Sequence, residues 1–136
     1  YFMDLGLRNA RINFRQNERS HLMENAVYNE MRARGFSVDV GAVPTLGMMP
    51  DGSRHRAVLE VDFVCNLGSK RYYIQSAYRM ESEDKVRQER ASLLKLDDSF
   101  KKIIVIGEEC PVTRDEMGIT TMGIYDFLLN KNSLDL

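Results

Sequence analysis

The side chains that could do chemistry in this chain are mostly acids. Leu22, Met23, Ala26, Val27 and Met31 recur at helical spacing between His21 and Arg34. Glu30 falls seven residues after Met23, so it points in nearly the same direction, beside Ala26 and Val27. A carboxylate within an apolar stripe is costly unless paired or metal-bound. Arg34, at i+4, is the local pairing candidate. Glu24 sits at the margin of the same stripe. In Ala57–Asn66, strand alternation puts Glu60, Asp62 and Val64 on one face and Leu59, Val61, Phe63 and Cys65 on the other. Asp62 is thus a mid-strand acid, where acids are disfavoured. The next strand carries Tyr73, Gln75 and Ala77 on one face, and hairpin pairing would bring Asp62 and Gln75 side by side.

Other chemistries find little support. No G-x-x-x-x-G-K-[ST], G-x-G-x-x-G, H-E-x-x-H or G-x-S-x-G occurs. His21 and His55 stand at no metal-ligand spacing to each other or to Cys65 and Cys110. The two cysteines read as small buried hydrophobes in a reducing cytosol, not as a disulfide framework. Arg54-His55-Arg56 reads as a solvated loop. Tyr72, Tyr73 and Tyr78 interleave with Lys70, Arg71 and Arg79, a pattern that could present a nucleic-acid surface but is also ordinary strand composition.

The positioning frame follows from length and pattern. At 136 residues with 43% apolar content, one domain with a sizeable core is expected. The 19 Lys and Arg balance 20 Asp and Glu, which disfavours both a disordered chain and a strongly basic nucleic-acid binder. The balance is uneven along the chain. Residues 108–136 hold six acids against Arg114 and Lys131, leaving −4, while the preceding body is mildly basic at +3. No apolar run approaches the roughly 18 residues of a membrane helix. The chain starts at Tyr1 with no leader pattern and reads as a piece of a longer protein, residues 1–19 being a partly helical lead-in and 20–136 the domain proper.

Ser20 is the expected N-cap of the first long helix and Gly35 its stop. A strand is expected over Phe36–Val43, with Phe36, Val38 and Val40 on one side. A loop with an Asp51-Gly52 turn should follow over 44–55. Ala57–Asn66 and Arg71–Tyr78 read as a hairpin. A charged helix over Glu81–Leu96 follows, with Val86, Leu93, Leu94 and Leu96 as its thin apolar face. Lys101–Gly107 reads as a central strand buried on both faces. A loop over Cys110–Gly118, a short strand over Ile119–Met122 and a short helix over Tyr125–Asn130 complete the order. These elements suggest a mixed sheet with helices packed on it.

A helix with a Glu, a strand with a mid-strand Asp, a short turn and a second strand resembles the PD-(D/E)XK nuclease core. More specifically, YFMDLGLRNA, LMENAVYNEMRARGF, LEVDFV, RYYIQSA, DDSFKKIIVI and DFLLNKNSLDL together resemble the C-terminal domain, of unknown function, of a bacterial AAA-type ATPase family. The resemblance implies an α/β fold, a PD-(D/E)XK restriction-endonuclease-like core with a central mixed β-sheet flanked by α-helices. It implies an ATPase domain upstream in the same chain; the cytoplasmic location expected for it follows from the cysteine usage. In such a core, carboxylates hold Mg²⁺ beside a scissile phosphate. The metal activates the attacking water. A lysine two residues after the second acid orients that water. Carried onto this sequence, the site is Glu24, Glu30, Asp62 and Gln75, with Asp62, Gln75 and Glu24 as metal ligands if active.

This sequence departs from the pattern where it matters. Gln75 stands at the acid and Ala77 at the lysine. Lys70, Arg71 or Arg79 is the candidate replacement cation, and Gln88 could also reach the site. The expectation is a vestigial site with no cofactor of its own. The role is then that of a non-catalytic accessory or partner-recognition module, acting on a protein partner or another copy of itself. The alternative is a divalent-metal-dependent DNA endonuclease with an atypical active site.

Overall fold

The computed structural model describes residues 1–11, 19–48 and 54–136. Helix α1 (Leu5–Arg11) precedes the longer α2 (Arg19–Ala33). Strands β1 (Ser37–Met48), β2 (Arg54–Leu67) and β3 (Lys70–Ala77) form a meander. Helix α3 (Glu83–Leu94) crosses to β4 (Lys101–Ile106). Then come β5 (Thr113–Arg114), β6 (Ile119–Gly123), α4 (Ile124–Leu129) and a 3₁₀ turn over Ser133–Asp135. The six strands make one mixed sheet in the order β1-β2-β3-β4-β6-β5. The β3-β4-β6 core is parallel, and the other neighbours pair antiparallel.

Helices α2 and α4 cover one face. Met23, Val27 and Met31 of α2 and Phe127 of α4 pack there on Phe63, Cys65, Ile74, Ile103 and Val105. Helix α3 covers the other face, where Leu93 packs with Val43, Val61, Tyr73, Ile104 and Ile119. Strand β4 feeds both faces from alternate residues, as its continuous apolar run predicts.

Several boundaries differ from the sequence expectation. Ser20 lies inside α2, so it is not the cap. Gly35 does stop the helix. It adopts φ +90°, and Phe36 N–H reaches back to the Met31 carbonyl. Strand β1 runs on through Pro44 to Met48, and β2 begins at Arg54, so most of the expected loop is ladder. Pro44 is tolerated because β1 is the sheet edge. The Asp51-Gly52 turn lies outside the described residues, as do the side chains of Arg54, His55 and Arg56.

The expected face assignment of β2 holds only for part of the strand. Phe63 and Cys65 point to the α2 side. Val61, Leu59 and Val64 gather on the α3 side. The switch is a β-bulge: Asp39 pairs with Val64 and Gly41 with Val61, so Phe63 and Asp62 together face the single residue Val40. One extra residue inverts the side-chain alternation beyond it. Gly41 makes room for the bulge, since a Cβ there would sit 2.8 Å from Val64 Cγ2 and 3.1 Å from Val61 Cβ.

The lead-in finds a partner surface in this domain. Tyr1 stacks on Tyr28 with centroids 4.5 Å apart and tilts against Phe63. Phe2 N–H donates to the buried Asn25 side chain at 2.7 Å.

Candidate functional site

The bulge determines where Asp62 points. The β2–β3 ladder stops at the Phe63–Ile74 pair. Beyond it, the Asp62 carboxylate, not a backbone carbonyl, accepts the Ser76 N–H at 2.8 Å. The Asp62 N–H donates to Gln75 Oε1 at 3.3 Å. Gln75 Nε2 in turn donates to Glu89 Oε2 at 3.2 Å. Lys85 Nζ closes the chain on Glu89 Oε1 at 2.5 Å. The network therefore runs Ser76–Asp62–Gln75–Glu89–Lys85, across two strands and one helix.

It opens into a cleft of about 550 Å³ between the N-terminal ends of α2 and α3. Glu24 and Ser20 of α2 line one wall, and Lys85 and Glu89 of α3 the other. Asp62, Gln75 and Ala77 form the floor, and Arg79 and Glu81 the rim. Burial pushes the Asp62 carboxyl up to about 6, and the negative charges of Glu24 and Glu89 push the same way. The Ser76 N–H and Gln75 bonds partly oppose that rise. Burial, with Glu24 and Asp62 nearby, also pushes the Tyr1 hydroxyl up to about 12.

Glu24, Asp62, Gln75 and Ala77 thus come together as the sequence suggested, and Asp62 does lie beside Gln75. Glu30 does not join them. Its carboxylate lies 2.7 Å from Arg34 Nε. Arg34 also donates to Ser133 Oγ and to the Phe127 and Asn130 carbonyls. Glu30 therefore belongs to the junction of α2 with α4 and the C-terminal turn. Glu30 lies six residues beyond Glu24, about 9 Å along the helix and about 120° around it, so the two carboxylates cannot share one cleft.

None of Lys70, Arg71 and Arg79 replaces the missing strand lysine at the cleft floor. Lys70 lines a different cavity, with Glu30 and Arg34. Arg71 bonds Asn66 and lies over the Phe100 ring. Arg79 reaches the rim but pairs with Glu81 at 2.9 Å and Glu108 at 3.2 Å. The cation on the cleft wall is Lys85, and the acid is Glu89, which is 8% exposed. Gln88 is exposed and lines a smaller adjoining cavity together with Asp62, Gln75 and Glu89, so it does reach the site's other side. Glu89 had a readable signal, since Val86, Glu89 and Leu93 share the i, i+3, i+7 face of α3. Ser82 caps α3, its hydroxyl accepting from Lys85 N–H at 3.2 Å, which sets Lys85 in the first turn.

Tyr72 and Tyr73 are buried, so they are not free to stack bases. Tyr73 instead donates to Asp98 at 2.6 Å. Cys65 is buried and its thiol is pushed up to about 12 by burial, which makes it inert, while Cys110 is half-buried. Among the described residues, no three His, Cys, Asp or Glu side chains gather closely enough to hold a metal ion. No described helix is long and apolar enough to cross a membrane.

Comparison with known proteins adds one relative. A Haemophilus influenzae protein described only as uncharacterized is 28% identical over 129 residues, which is 95% of this chain and 28% of that protein. The chain thus spans little more than a quarter of that relative's length. No family model matches the sequence, and no solved structure matches it.

Proposed function

We propose that this chain is a PD-(D/E)XK-like domain with a degenerate cleft, serving as an accessory or partner-recognition module of a cytoplasmic AAA-type ATP-binding protein. The observation that carries the reading is the cleft's internal neutralisation. Lys85 holds Glu89, and a Gln75 carboxamide links Glu89 to Asp62. The α/β layering and the meeting of a helix acid, a mid-strand Asp and the next strand's Gln support the nuclease-like half of the reading. The additional length of the Haemophilus relative gives room for an ATP-binding domain. ATP chemistry would belong to such a domain, since this chain has no phosphate-binding loop.

A resident Mg²⁺ does not fit the residues as they stand. A hard divalent ion needs free carboxylate oxygens. Here Glu89 is occupied by an ammonium group, the strand acid is a neutral amide, and the strand lysine is an alanine with no proton or charge to offer.

One observation favours the alternative, a metal-dependent endonuclease. The cleft is open, and burial first, with the charges of Glu24 and Glu89 adding to it, raises the Asp62 carboxyl. The two readings separate on one assay. Plasmid and single-stranded DNA are incubated with the protein in Mg²⁺ and in Mn²⁺, beside Asp62→Ala. The expected result is no cleavage above that of the variant. Cleavage that Asp62→Ala abolishes would establish the endonuclease instead.

A further inference from the structure

At the opposite end of β3 from the cleft, the C-terminal end of α2, the β2–β3 turn and the turn around Leu134 enclose a second cavity of about 410 Å³. That volume lies within the roughly 300–1,000 Å³ of small-molecule sites. Phe36, Leu67, Tyr72 and Leu134 give it an apolar lining, with the Phe36 and Tyr72 rings edge to face at 5.6 Å. Lys70 and Lys131 stand exposed on its wall, and neither has an ion-pair or hydrogen-bond partner for its ammonium among the described residues. The two acids on the wall have cations of their own: Glu30 lies 2.7 Å from Arg34, and Asp135 shares an adjoining cavity with Lys101. Tyr72 is only 8% exposed, and its hydroxyl has no hydrogen-bond partner among the described residues. That oxygen is not among the polar atoms sealed from solvent, so it opens onto the cavities that Tyr72 lines. A polar group placed so deeply needs a partner from outside the chain.

We infer that this second cavity binds a small organic acid, an apolar body carrying one anionic head. The body packs on Phe36, Leu67, Tyr72 and Leu134, and its burial supplies the non-directional part of the affinity. The head is met by the Lys70 and Lys131 ammonium groups, each a mobile point charge on a flexible stem, and accepts from the Tyr72 O–H. Each half of the lining excludes a simpler ligand. Bare inorganic phosphate leaves the apolar lining unused. A neutral apolar molecule leaves both ammonium groups and the Tyr72 hydroxyl without partners. A multiply charged chain meets Glu30 and Asp135 on the same wall. The site is independent of the Asp62 cleft and of the function read from it.

The probe is anilinonaphthalene sulfonate, an aromatic body with one anionic head whose fluorescence rises when it leaves water. The wild type should bind it saturably at one site. Lys70→Glu/Lys131→Glu should weaken binding at least tenfold. Arg87→Glu/Lys95→Glu makes the same change of charge at exposed positions on and just after α3, and should alter binding less than twofold. Ala33→Phe fills the cavity from its exposed rim and should also weaken binding at least tenfold. Decanoate should displace the probe, and inorganic phosphate should not. Unsaturable binding, equal losses in the two charge-reversed variants, no loss in Ala33→Phe, or displacement by phosphate and not by decanoate overturns the inference. If circular dichroism shows that a variant does not fold, the wild type alone decides. Decanoate should then shift the amide resonances of Ala33, Leu67, Lys70, Tyr72 and Lys131 and leave those around Asp62 in place. Shifts confined to other residues, or none, overturn the inference.

Discussion

An aspartate that titrates near 6 in the folded chain, against 3.8 for a free side chain, holds its proton more tightly folded than unfolded. Between those values the folded state binds more protons, so the Asp62 contribution to stability falls as pH rises through the window. Above it, the cost of the ionised group is fully present. Asp62→Asn keeps an oxygen for the Ser76 N–H and removes the charge. It should raise the melting temperature relative to wild type at pH 8, and the advantage should shrink as pH is lowered toward 4. Glu30 and Arg34 give the opposite lesson about acids in apolar stripes. Arg34 serves three partners besides Glu30, and its side chain is only 14% exposed. Arg34→Met should cost about 2–4 kcal/mol in urea unfolding, because buried acceptors lose a charged donor. Glu30→Gln should cost under about 1 kcal/mol, since that carboxylate is more accessible and leaves Arg34 its other bonds.

Local spacing made most of the elements readable, and it failed where a tertiary detail overrode the period. Helix α2 followed from apolar periodicity and the β4 core strand from its continuous apolar run. The bulge in β2 did not, because an alternating AVLEVDFVCN reads as uninterrupted strand whether or not one residue is extra. Its sequence trace is on the neighbouring strand, at Gly41, and only pairing reveals it. For the same reason the site was half legible. Glu24, Asp62 and Gln75 were found, whereas Lys85 and Glu89 reach the cleft through a helix whose placement over β2 and β3 is not encoded in any short motif. Two variants probe these devices. Gly41→Val should push β2 out of its bulge and cost about 1–3 kcal/mol, the range for overpacking. In that variant the Asp62 titration, followed by carboxyl NMR, should move back toward the ordinary value. Ser82→Ala removes the α3 cap and should cost about 1 kcal/mol in thermal or urea unfolding.

At the scale of the molecule, two halves of unequal kind share one sheet. The parallel half, β3-β4-β6, is clamped by helices on both faces. The antiparallel half, β1 and β2, is the longer ladder; its backbone pairs with the parallel half through five residue pairs, Phe63–Ile74 to Leu67–Lys70, while Val43, Val61, Phe63 and Cys65 share the helix-covered cores. The candidate site lies where that junction ends. Length, composition and element order anticipated the α/β layering, whereas no charge or length argument could locate the junction. The seam has a consequence for how the fold breathes. Backbone amides should exchange with heavy water in two cooperative groups. Those of β2 before Asp62 and of β1 opposite them should open at lower free energy than those of β4 and the parallel core. The Ser76 amide, shielded by a side chain instead of a strand, should exchange with the first group although its residue belongs to the second.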